Sequence, residues 1–226
     1  MIGTRAVVGI WVVAALAIPA VFGVMKVMKK ETPGSRGPAA EFAQPTRHFR
    51  VPNPARLSDV DAMSIYDRIR DDMVAAYRLS QNPVTGRYYT WRRYNRSPYL
   101  SATHGDRYIN NYASPVAKSY GQKGESPMPA GTVLAKDSFT VTAPGDVFTG
   151  PLFLMEKMAP GFAPEARDWR YTMIMPDGSL FGTTNGEGSE RMAFCVSCHK
   201  TAGDAADHLF FVPEKYRRPF LLLEHK

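Results

Sequence analysis

The chain has 226 residues, 28 Lys and Arg against 21 Asp and Glu, and a net charge of +7. That length suits one domain of ordinary size with accessories, and 44% hydrophobic residues are enough to build a real core. The basic surface fits an anionic membrane surface, an acidic redox partner or simple solubility, and export of the body would argue against nucleic acid.

Residues Ala6 to Val24 form an uncharged run close to the length of a bilayer core, preceded by Arg5 and followed by Lys26, Lys29 and Lys30. The run is long for a signal core, and the nearest small-x-small cleavage site, Val21-Phe22-Gly23, is weak. Residues 1–30 therefore read as a retained single-span membrane anchor. The lysines after the span would favour a cytoplasmic flank, but the attachment motif described below requires the outer side. Residues 31–56 carry Pro33, Pro38, Pro45, Pro52 and Pro54 with little periodicity, and read as an extended linker.

Residues 57–80 have the pattern of a helix. Ser58 is the N-cap, Asp61 its capping-box partner, and Ala62, Tyr66, Ile69, Met73 and Tyr77 form one face. Gln81-Asn82-Pro83 stops it. Residues 84–108 mix Tyr88, Tyr89, Trp91, Tyr94 and Tyr99 with Arg92, Arg93, Arg96 and Arg107. In isolation this suggests single-stranded nucleic acid; in an exported chain it reads as the packing of a loop-rich subdomain. A second helix is expected over Asn110 to Tyr120, followed by a loop from Gly121 to Pro129.

The periodicity then becomes that of strands. Thr132–Thr142, Pro151–Met158 and Trp169–Met175 alternate or run apolar between Pro- and Gly-rich turns, and Asp177-Gly178 turns the chain before Leu180-Phe181. The expected fold class is α+β, an antiparallel β-sheet with packed helices. Ser189 is expected to cap a short helix presenting Cys195 and Cys198.

These are the chain's two cysteines, and they stand in Phe194-Cys195-Val196-Ser197-Cys198-His199. In a Cys-x-x-Cys-His site the two thiols can add across the vinyl groups of a haem, and the histidine lies under the iron as proximal ligand. The motif points to one covalent haem c, with His199 on the metal. Three other schemes compete: a zinc site completed by a partner such as His208, a thioredoxin-like dithiol, and a structural disulfide across a two-residue loop. Met155, Met158, Met173, Met175 and Met192, and likewise His48, His104 and His208, are candidates for a sixth ligand. On residue type the methionines read as core, and the histidines as structural or surface groups.

From about Tyr88 to Arg218 the chain resembles the cytochrome P-460 family, which includes the cytochromes c′-beta. The resemblance is carried by HGDRYINNY at 104–112, GTVLAK at 131–136, LFLMEK at 152–157, DWRYTMIMPDG at 168–178, FCVSCHK at 194–200 and DHLFF at 207–211. It implies a haem domain over 57–226 with helices packed on an antiparallel sheet, and a five-coordinate haem with His199 proximal. In the family's enzymes a lysine of the GTVxxK segment is bonded to the haem edge, and Lys136 holds that position. Such a tether on a meso carbon distorts the ring, a lever on iron chemistry. The resemblance also puts Arg107 and Glu156 on the distal side, Glu156 taking protons as hydroxylamine is oxidised. Read without it, Lys136 is a solvent-facing strand residue, Arg107 a surface ion pair, and Glu156 a strand-edge partner of Lys157 or Arg170.

The chain departs from the small soluble members in its anchor, its linker, its extra N-terminal helix and Asp137, where the enzymes have glutamate. The implied protein is a periplasmic cytochrome on the bacterial inner membrane. It would bind or oxidise hydroxylamine or nitric oxide and pass electrons to another cytochrome. The alternative is a gas-binding or electron-transfer subunit of a larger membrane complex.

Overall fold

The computed structural model describes residues 48–117, 120 and 127–219. The expected membrane span and residues 31–47 of the expected linker lie outside them.

Helix α1 spans Asp59–Tyr77. Ser58 caps it as expected: its Oγ accepts from Asp61 N at 3.1 Å and donates to the Asp61 carboxylate at 2.7 Å. Its buried face is Ala62, Tyr66, Met73, Val74 and Tyr77. Eight strands follow: β1 (Arg92–Arg93), β2 (Tyr99–Ser101), β3 (Arg107–Ala113), β4 (Val133–Val141), β5 (Val147–Thr149), β6 (Leu152–Lys157), β7 (Trp169–Ile174) and β8 (Leu180–Thr183). They form one antiparallel sheet in the order β1-β3-β4-β6-β7-β8, with β2 also paired to β3 and β5 to β4. Helix α2 (Ala193–Lys200) comes last.

Both faces of the sheet are covered, so β4 is buried along its whole length. One face carries Tyr112, Ala135, Phe139, Leu152 and Leu154 and packs against α1. Beneath α1 the Asp137 carboxylate accepts from Tyr66 Oη at 2.7 Å and Asn110 Nδ2 at 3.0 Å. The opposite face, with Ile109, Leu134, Phe153, Met155, Tyr171 and Met173, packs against α2 and the segment through Leu209 and Val212. Strand alternation therefore sends neighbouring residues to two different cores.

Two expectations change. Asn110 begins no helix: it lies within β3, which pairs antiparallel with β4 from Tyr108↔Phe139 to Ala113↔Leu134. Tyr108, Asn110 and Tyr112 serve the α1 face, where buried Asn110 is satisfied by Asp137 and by Asn95 Nδ2 at 2.9 Å. Nor does the Ser189 side chain cap the helix before the cysteines. A 3-10 turn over Ser189–Met192 leads into α2, and Gly188 in a left-handed conformation precedes it.

The end of the expected linker belongs to the body. Val51 N donates to Gly105 O at 3.0 Å, Ala55 N to Val141 O at 2.8 Å, and Leu57 N to Tyr108 Oη at 2.7 Å. Gly105 makes this approach possible, because a Cβ there would collide with the Phe49 carbonyl and the Arg107 guanidinium.

Candidate functional site

Helix geometry puts Cys195, Cys198 and His199 on one side of α2, since positions three and four apart are neighbours. Cys195 and His199 are buried, Cys198 is exposed, and both thiols are free. Burial, and then the Cys198 thiol beside it, push Cys195 up to about 12. That is the opposite of the lowered value an exchanging dithiol uses. His199 Nδ1 lies 2.9 Å from the His208 carbonyl. A carbonyl can only accept, so Nδ1 carries the proton and Nε2 keeps a free lone pair. Burial, reinforced by the charge of Lys136, holds this imidazole down to about 3, so it is neutral at any ordinary pH.

These residues border a cavity of about 260 Å³ between α2 and the sheet. Its walls are mostly apolar, with Leu134, Phe153, Met155 and Met192 among them. Three polar side chains besides the motif matter. Lys136 reaches in from β4 and is buried, not facing solvent. Its Nζ is 3.4 Å from His104 Nε2, and no Asp or Glu is among the described residues lining the cavity. Burial brings its amine down to about 8, a fall the two nearby thiols partly offset.

His104 is the second. Its Nδ1 lies 3.0 Å from Ser101 Oγ and 3.2 Å from Thr103 Oγ1. Burial first, then the charge of Lys136, hold it well below the ordinary imidazole range. His48 stacks on it with ring centres 5.2 Å apart and meets Phe194 edge-on at 4.8 Å. The third is Tyr171 on β7, whose ring centre is 5.2 Å from that of His199. Its hydroxyl is buried without a hydrogen-bond partner among the described residues, which costs about 1–3 kcal/mol unless an occupant of the cavity accepts from it.

Arg107 and Glu156 do not line the cavity. Arg107 Nη1 donates to Phe49 O at 2.8 Å and His104 O at 3.1 Å, so it ties down the two segments that bring in the stacked histidines. Glu156, expected on the distal side, lies on the other face of β6 from Phe153 and Met155, 3.9 Å from Arg170. The reason is the two-residue period of a strand: its neighbours Met155 and Lys157 take the cavity side.

Of the candidate sixth ligands, Met155, Met192, His48 and His104 border the cavity. His208 does not: its Nε2 lies 2.9 Å from Asp204 Oδ1. Among the described residues no group of three His, Cys, Asp or Glu side chains is placed to hold a metal ion on its own. The donor set does fit a haem c: two free thiols one helical turn apart, an imidazole with Nε2 free, a mostly apolar cavity, and a buried lysine and tyrosine that, among the described residues, have no counter-charge or acceptor there.

Tyr171 gave no sign in the sequence, where it was one apolar position in a strand, and His48, though a candidate ligand by type, stood in a stretch read as linker. The chain matches no known protein-family model and no curated protein.

Proposed function

We propose that this chain is a c-type cytochrome of the P-460 kind. It would be anchored by residues 6–24 in the bacterial inner membrane, with its body in the periplasm. Cys195 and Cys198 would hold the haem and His199 its iron. The observation that carries the reading is the position of Lys136, whose buried amine shares one cavity with both thiols and the His199 imidazole.

A bound haem would supply an iron that exchanges electrons and takes small ligands. The chain's residues do the rest. His199 keeps Nε2 available because its other nitrogen is engaged by the His208 carbonyl. Mostly apolar walls surround the place a haem would take. Lys136, with its amine near 8 and a neutral imidazole for a neighbour, can present an uncharged amine to the haem edge. The ligand class is a small nitrogen species, hydroxylamine or nitric oxide, and the electrons would go to another cytochrome. No Asp or Glu is among the described residues lining the cavity, which favours a second reading, nitric oxide binding without turnover, because hydroxylamine oxidation releases protons that must be accepted.

Peptide mapping tests both. Trypsin should release Met192–Lys200 carrying haem. A fragment containing Lys136 bound to that peptide supports the enzyme. A haem peptide that runs alone supports gas binding or electron transfer, and cysteines without haem in protein made by an intact attachment system would refute the proposal.

A further inference from the structure

His199 is held by a backbone carbonyl, and that carbonyl is itself held in an unusual way. Asp207 and His208 are consecutive non-glycine residues with φ of 51° and 58°. Left-handed backbone is uncommon for non-glycine residues, and two such residues in succession persist only where the surroundings hold them. Here they do. The Asp207 side chain is fully buried, and Lys157 Nζ reaches both its oxygens, at 2.7 and 2.9 Å. The same Nζ donates to Arg167 O at 2.6 Å. Met128 N donates to Asp207 Oδ2 at 2.9 Å, and Trp169 Nε1 to Asp207 O at 2.8 Å. The Lys157 ammonium also lies 5.1 Å from the centre of the Trp169 ring. One residue further on, the His208 carbonyl meets His199 Nδ1.

We infer that the Lys157–Asp207 ion pair is the positioning device of the proximal imidazole. It locks the left-handed pair, aims the His208 carbonyl at His199 Nδ1, and so sets the orientation and basicity of Nε2. This rests on the haem reading above. A buried ion pair adds little net stability over an apolar pair of the same size, because two charges lose their water. Fixing a strained turn gives it a role that packing alone would not. Partners that orient a ligating histidine also raise its basicity. A firmly held carbonyl makes His199 a stronger donor, which favours the oxidised iron.

The test uses the full-length haem protein in detergent. Asp207→Asn removes the charge and keeps the shape. The double variant Lys157→Met with Asp207→Asn removes both buried charges of the pair and leaves only the half-exposed Arg167, 3.5 Å from Asp207 Oδ1, to be neutralised by solvent; it serves if the single variant fails to fold. Trp169→Phe removes the indole donor to Asp207 and keeps an aromatic ring beside Lys157. The readouts are the iron–histidine stretching band of the reduced, five-coordinate protein by resonance Raman, which reports on this bond directly, and the reduction potential measured in the same state. The expected result is a band shifted to lower frequency and a raised potential in Asp207→Asn and in the double variant, with a smaller shift in Trp169→Phe. Variants that melt earlier yet keep the wild-type band and potential overturn the inference and leave the haem reading intact. A wild-type chain that carries no haem overturns both.

Discussion

Lys136 stands on a strand with alternating faces, and one position either way would have turned its amine toward α1. Residue type alone made it a solvent-facing strand lysine, so its place in the cavity was legible only through the resemblance. The placement has a measurable consequence in protein made without haem. Burial lowers its amine from the usual 10.5 to about 8. Below pH 8 the folded and unfolded chains both carry the proton, and burying that charge costs about 3 kcal/mol. Between pH 8 and 10.5 the unfolded chain binds more protons than the folded one, so stability rises with pH. Lys136→Met should remove that rise and be the more stable protein at pH 7; urea unfolding at pH 7, 9 and 10.5 reads both effects. The same alternation decided Glu156. The resemblance made it a proton acceptor on the distal side, but its register set it beside Arg170, one of the partners its type alone suggested.

Helix α1 was legible almost residue by residue, because capping and the 3.6-residue period are local. Ser58→Ala should cost about 1 kcal/mol, measured by chemical unfolding. Tyr66→Phe should cost more, about 1–3 kcal/mol, because the buried Asp137 carboxylate loses a donor. The segment from Asn110 misled because a polar pair in mid-element resembles neither an alternating strand nor a core. Asn110 is buried in β3 only because Asn95 and Asp137, distant in the chain, satisfy its amide. Both asparagines are ordinary sheet residues once those partners exist, and no local window contains them.

For the whole molecule, the boundary between linker and body moves from residue 57 to at least His48. Proline content signalled an extended chain, and its described end, residues 48–56, pairs with the sheet through the Pro54–Thr142 bridge. It contributes hydrogen bonds from Val51 N and Ala55 N, carbonyls of Phe49 and Ala55 that accept from Arg107 and Tyr108, and the His48 ring over the cavity. A chain begun at residue 57 should therefore melt below one begun at residue 47, and it should expose the cavity beside His104. Thermal unfolding of the two truncated forms, with the rate of modification of the cavity thiols, measures this.

The sequence by itself determined what is local or stoichiometric: the capped amphipathic helix, the strand-rich second half, and a Cys-x-x-Cys-His motif that uses every cysteine in the chain. Tertiary structure decided which residues meet that motif. Lys136, His48, His104 and Tyr171 reach one cavity from β4, β7 and loops far apart in the chain, while Glu156 is excluded from it. The physical reason is that a strand's two faces differ by a single residue step. Which face meets α2 depends on the register of the whole sheet, and that register is set by pairings between distant segments.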